Sequence, residues 1–206
     1  GWNKRQNKYL FWINTKSKNR TVVMNNNFLI FDNFYNNVDQ VREEALKQEF
    51  DVSGNYPGLR TSPEPAKQSE YLKTFFENLI SKKISYWPSE YNTSYQYTTE
   101  DASTWIHHDK TEFAAVLYLT PDAPLESGTG IYRHKESGIS DCTQGKEDDQ
   151  DMNNWELLSF AGNVYNRLII YRATQYHRSV LPGFGTDKHN GRLFQTFFFN
   201  TQGYEQ

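Results

Sequence analysis

The chain has 206 residues, a formal net charge of −3 at neutral pH and a mean hydropathy of −0.84. That balance argues against a polyanion-binding protein, which needs a concentrated positive face, and no apolar run reaches the length of a membrane span. Aromatic residues make up 16% of the chain, enough large apolar side chains to fill a core, so a disordered chain is excluded as well.

Residues 1–20 mix Lys, Arg and Asn without a continuous apolar stretch, so no secretory leader is expected there. Weak alternation through Tyr9, Phe11 and Ile13, then Val22 to Met24, then Phe28, Ile30 and Phe31 predicts short strands. Residues 37–49 read as a helix, with Asn37 able to cap, Gln40 three positions on, and Val38, Val41 and Ala45 at helical spacing. Gly54, Pro57 and Gly58 break that pattern. Residues 66–85 carry the strongest helical stripe, Leu72, Phe75, Phe76, Leu79 and Ile80, which predicts packing against a sheet.

From Tyr91 onward the texture turns to β. Candidate strands are 93–99, 103–109, 113–120, 129–134, 155–160, 163–171, 175–180 and 192–200, separated by Pro, Gly and Asp turns. Between them, residues 135–154 are strongly polar and read as a mobile loop, either a solvated linker or a lid over a pocket. This loop holds Cys142, the single cysteine. It can make no internal disulfide, reads as an incidental surface thiol, and points to a reducing, cytoplasmic setting. Helices followed by many short strands predict an α+β fold, mainly β, with a sandwich or barrel core. One domain spans 1–206, with N-terminal strands and supporting helices over 1–90 and the β core over 91–200.

The chemistry is concentrated in Trp105-Ile106-His107-His108-Asp109. On a strand, residues two apart share a face, so His107 and Asp109 would offer an imidazole and a carboxylate side by side, with His108 turned away. A lone His-x-Asp means little. A second histidine, His177, occurs in another β-like run, and two histidines with one carboxylate make the facial triad of non-haem iron sites, with positions left open for ligands. A structural zinc site would be closed and usually rich in cysteine. His134 and His189 are alternative third ligands. Arg192 opens the apolar strand Arg192-Leu193-Phe194, where a buried guanidinium needs a partner, and a dicarboxylate cosubstrate is one that fits. Lys188 and Arg178 are its rivals. Tyr97, on the strand before His107, could reach the same carboxylate. Arg60 is placed by its turn near a substrate entrance.

These residues also carry a family resemblance. The stretch from His107 through Phe113 to Thr120 and on to Ser127-Gly128-Thr129-Gly130-Ile131-Tyr132 resembles the prolyl 4-hydroxylase-like branch of the Fe(II)/2-oxoglutarate oxygenases. Leu168 to Tyr171, His177 with Val180-Leu181-Pro182, and Gly191-Arg192 are similar to the later part, and Phe31 to Tyr35 to the start. The chain departs from that pattern in a longer interval between His177 and Arg192, in Thr129 between the two turn glycines, and in an Arg where many members have Lys.

The resemblance implies a double-stranded β-helix, a jelly-roll or cupin-like barrel flanked by N-terminal helices. It implies Fe(II) on His107, Asp109 and His177, with 2-oxoglutarate as cosubstrate paired to Arg192 and Tyr97, dioxygen as co-reactant, and ascorbate compatible as a reductant. The expected activity is hydroxylation of a peptidyl side chain or a small amino-acid-like molecule. A nucleobase oxygenase and a cupin-like non-catalytic binding module are the alternatives. No membrane or nucleic-acid partner is expected, and the sequence does not indicate an oligomeric state.

Overall fold

The computed structural model describes residues 27–180 and 183–205, together with the backbone of residues 22–24. The strands expected around Tyr9 to Ile13, and the Leu181-Pro182 pair, lie outside the described residues.

In chain order the elements are β1 (Val22–Met24), β2 (Phe28–Phe31), α1 (Val38–Lys47), β3 (Leu59–Arg60), α2 (Ala66–Ile80) and β4 (Ile84–Tyr86). They continue as β5 (Tyr95–Thr98), β6 (Phe113–Tyr118), β7 (Thr129–His134), β8 (Trp155–Ala161), β9 (Leu168–Arg172), β10 (His177–Ser179) and β11 (Arg192–Thr201). A major sheet runs β1-β2-β9-β6-β11-β5-β3, with β4 also on β11, and a minor sheet runs β10-β7-β8. Every named pair is antiparallel, and most neighbours in the major sheet, such as β2–β9, β9–β6, β6–β11 and β11–β5, are far apart in sequence, as in a double-stranded β-helix.

Strand parity builds the two sides of the major sheet. Ala115, Leu117, Leu168, Ile170, Leu193, Phe197 and Phe199 face the helices and pack with Val41, Ala45, Leu72 and Phe76. The alternate residues Ala114, Val116, Tyr118, Ile169, Tyr171 and Phe194 face the minor sheet and pack with Ile131 and Ala161. Side chains two apart on a pleated strand share a face, so one run such as Phe113–Tyr118 supplies both layers.

The helices fall close to expectation, with local differences. Asn37 precedes α1, but its side-chain amide donates to Gln40 Oε1 (3.1 Å) and makes no cap to the helix backbone. The stripe of α2 was expected to run to residue 85. The helix instead ends at Ile80, because Ser81 turns left-handed (φ 56°) and the Glu77 side chain accepts the Ile84 N–H (3.0 Å), which releases the chain into β4.

The polar stretch 135–154 is also ordered, contrary to expectation. Ile139, Cys142 and Met152 pack on a third cluster of Ile106, Tyr132, Trp155 and Tyr176. Its polar groups are bonded both within the stretch and to the fold: Gln144 Oε1 accepts the Ser140 and Asp141 N–H groups, and the Glu147 N–H donates to the Tyr176 hydroxyl. Cys142 is half-buried there rather than a surface thiol. Among the described residues no helix is long and apolar enough to cross a membrane.

Candidate metal centre and its cavity

No strand forms over 103–109. The segment meets the minor sheet at one two-way bridge, where the His107 N–H donates to His177 O (3.1 Å) and the His177 N–H to His107 O (2.8 Å). Two residues on, the Asp109 N–H donates to Ala173 O (2.8 Å) in the turn between β9 and β10. The chain is stretched across that turn and then leaves for β6, so a ladder cannot continue. The outcome for the side chains is still the one expected. Directly opposed residues of an antiparallel pair project to the same face, so His107 and His177 stand side by side with ring centroids 4.4 Å apart.

One ligand atom from each of His107, Asp109 and His177 lies within 4.8 Å of the others, and among the described residues this is the one such cluster. His107 donates from Nδ1 to Trp105 O (3.0 Å) and His177 from Nδ1 to Gln175 O (2.7 Å). A carbonyl can only accept, so each Nδ1 carries the proton and each Nε2 is left with a lone pair. His177 Nε2 faces Asp109 Oδ2 at 3.3 Å, a spacing bridged by a proton or by a metal ion shared between them. The donor set fits a hard-to-borderline divalent metal and holds half of an octahedral sphere.

Electrostatics support the same state. Burial, with help from the adjacent His177, pulls His107 down to about 4 against the opposing pull of Asp109. Burial pushes Asp109 upward, but the neighbouring His177, His107 and Arg60 outweigh it, so the carboxyl is held below its usual range. At neutral pH the site therefore offers a neutral His107 and a carboxylate.

The triad opens on a cavity of about 640 Å³ between the two sheets. Arg192 lines it and is 3% exposed. Its Nε donates to Ser127 O (3.0 Å), its guanidinium lies 4.6 Å from the Phe194 ring centre, and no carboxylate among the described residues pairs with it. Burial lowers its pKa, with Tyr118 opposing. A buried guanidinium without a carboxylate partner is costly, which suits a site that receives one from a ligand.

The other expectations separate cleanly. Arg60 and Arg178 line the cavity, whereas Lys188 lies over the Phe50 ring (5.4 Å) and bonds Gln48 O. His134 sits apart, buried against Trp155 and bonded to Ser137 and Asp149, and the backbone O of His189 accepts from Arg42. His108 turns away from the triad, as parity predicted, and meets the Tyr176 ring edge-on.

Tyr97 is misplaced by the sequence reading. On β5 the parity that aims Ser94 and Gln96 into the cavity aims Tyr95 and Tyr97 at the helices, and Tyr97 packs on Phe50 with centroids 5.1 Å apart. The tyrosine beside Arg192 is Tyr118, opposite Phe194 in the β6–β11 register and bonded through its hydroxyl to Thr129 Oγ1 (2.7 Å). Parity along Ala114, Val116 and Tyr118 was the available signal. No residue of 135–154 lines the cavity, so that stretch is not its lid here.

A family profile matches residues 14–154, more than half of the chain. The chain belongs to DUF6445, a family of unknown function. The matched part of this DUF6445 protein contains His107 and Asp109 and stops before His177. No curated protein matches it in sequence.

Solved structures do resemble it. HygX from Streptomyces hygroscopicus, with nickel, 2-oxoglutarate and hygromycin B bound, aligns with a TM-score of 0.57 at 11% identity, covering 86% of this chain and 84% of HygX. A prolyl hydroxylase from Trichoplax adhaerens, in complex with a hypoxia inducible factor oxygen degradation domain peptide fragment, gives a TM-score of 0.52 at 13% identity, covering 84% of each chain. The non-heme alpha ketoglutarate dependent carbocyclase SnoK from nogalamycin biosynthesis gives 0.53 at 11% identity, covering 84% of this chain and 79% of SnoK. The DUF6445 protein thus has the Fe(II)/2-oxoglutarate dioxygenase fold, a prolyl hydroxylase among its structural neighbours, and a candidate His-Asp-His facial triad on it.

Proposed function

We propose that the protein is an Fe(II)- and 2-oxoglutarate-dependent oxygenase that hydroxylates a small amino-acid-like molecule or a peptidyl side chain. The observation that carries this reading is the pair of Nε2 lone pairs and the Asp109 carboxylate converging at the wall of a cavity that also holds the buried Arg192. His107, Asp109 and His177 would hold iron. Arg192 would pair with the far carboxylate of 2-oxoglutarate, and the Tyr118 hydroxyl beside it would assist. Iron with 2-oxoglutarate and dioxygen supplies the oxidation, placing one oxygen atom on a C–H bond with succinate and carbon dioxide as co-products.

The chain's own part is positioning and exclusion. Trp105 O and Gln175 O fix the tautomer and tilt of the two imidazoles. The Tyr171 ring packs edge-on against His177 (4.9 Å) and lines the cavity with Phe194, so the two would limit water beside a bound metal. Succinate release that requires both Fe(II) and 2-oxoglutarate, measured with a panel of free amino acids and peptides, tests the assignment. Metal and 2-oxoglutarate affinity that survives His177→Ala unchanged would return the protein to a cupin-like binding module.

A further inference from the structure

The cavity carries more positive charge than the metal and cosubstrate require. Its lining includes Arg60, Arg178, Arg192 and Lys110, against two carboxylates, Asp109 and Glu90. A divalent metal and the doubly charged cosubstrate sum to zero, so the four basic side chains of the lining still stand against only two acidic ones, and Arg192 is the one placed for the cosubstrate. Arg60 then faces the remaining space with no acid of its own.

Arg60 is held like a ligand-binding group. Its backbone is pinned on both sides: a two-way bridge to Val52 on one (Arg60 N–H to Val52 O 2.9 Å, Val52 N–H to Arg60 O 3.0 Å), and the pairing of β3 with β5, Arg60 opposite Gln96, on the other. Its Nε donates to Gln96 Oε1 (2.7 Å), and Gln96 is itself fixed by donating from Nε2 to Pro57 O. The guanidinium carbon lies over the Tyr56 ring, 3.7 Å from its centre. Among the described residues this Nε bond is its one side-chain hydrogen bond and no carboxylate pairs with it, so the terminal N–H groups form an unused two-donor fork. Arg60 lines the same cavity as His107, Asp109 and His177.

We propose that Arg60 anchors a carboxylate of the primary substrate, which is therefore a compact carboxylic acid of amino-acid size. This deepens the oxygenase reading and rests on it. A planar fork with its Nε already occupied matches the two oxygens of a carboxylate. The cavity of about 640 Å³ must also hold the cosubstrate, so the space left suits a small molecule. Tyr56 and Phe198 flank the guanidinium and would bound the acid's carbon skeleton.

The test uses the full chain, anaerobic, with Mn(II) and 2-oxoglutarate. Free amino acids and their carboxamides are titrated by calorimetry against wild type, Arg60→Gln and Gln96→Glu. At least one acid should bind about 100-fold more tightly than its amide, the scale of a lost buried charge pair. Arg60→Gln should erase that preference while Mn(II) and 2-oxoglutarate affinities hold. Gln96→Glu should erase it too, by giving Arg60 an internal carboxylate, and it covers the case in which Arg60→Gln fails to fold. The proposal is overturned if no acid outbinds its amide, if the preference survives in a folded variant, or if 2-oxoglutarate affinity falls with Arg60→Gln. The same titration on metal-free protein separates the two readings: wild type that fails to bind Mn(II) with 2-oxoglutarate removes the oxygenase, while the acid–amide ratio still decides the anchor.

Discussion

His107 and His177 each spend their Nδ1 proton on a backbone carbonyl, so the metal-binding face of the site is set before any metal arrives. Asp109→Asn keeps the shape and removes the charge. Its Mn(II) affinity, measured by calorimetry, should fall by more than the roughly 10–100-fold that loss of an orienting partner costs. His107 also gives the metal-free protein a pH signature. Its folded pKa of about 4 lies below the ordinary histidine value of 6.5, so the unfolded chain binds more protons between those two values. Stability should rise with pH across that window and be lost as pH falls from 6.5 toward 4. Urea midpoints of metal-free protein across that range check the sign, and His107→Asn should flatten the slope. Arg192→Met separates stability from binding. It replaces a buried charge that has no carboxylate partner, so the melting temperature should hold or rise while 2-oxoglutarate affinity drops about 100-fold.

At the scale of elements, the helix-covered face of the major sheet and its β3–β5 edge do different work. The helical face is a packing problem. Phe76 is fully buried among Phe34, Phe197, Phe199 and Trp87, with the Phe197 ring 4.8 Å away, so Phe76→Ala should cost roughly 3–5 kcal/mol in denaturant unfolding. The β3–β5 edge is a positioning problem. Gly58 has φ +75°, and a Cβ there would sit 1.9 Å from Tyr97 O. Gly58→Ala must push β3 off β5 and carry Arg60 with it. Acid binding should therefore weaken in this variant while Mn(II) affinity stays within about twofold, since the triad hangs from other elements. Both helices were legible because their apolar residues recur every three or four positions. β3 and β4 were not, because two or three residues carry no period, and their pairing depends on partners far along the chain.

The whole molecule places one cavity between two sheets and a separate small core beneath residues 135–154. Hydrogen exchange should show that difference. Loading with Mn(II) and 2-oxoglutarate should protect segments around 104–111 and 177–179, which carry the triad, and leave 140–154 unchanged. Protection spreading into 140–154 would restore a lid role to that stretch. The polar composition of 135–154 hid its order, since Ile139, Cys142 and Met152 are too sparse to predict a core. They pack only because Trp155 and Tyr176 arrive from β8 and the β9–β10 turn. By itself the sequence determined the helical stripes, most of the strands, the two-apart spacing of His107 and Asp109, and a mainly β class, because these follow from local periodicity and side-chain type; the barrel was implied by the family resemblance. Tertiary structure decided that His177 rather than His134 or His189 joins them, that Tyr118 rather than Tyr97 stands beside Arg192, and that Arg60 faces the cavity without an acid. Those outcomes depend on register between strands distant in the chain, where a shift of one residue turns every side chain to the opposite face.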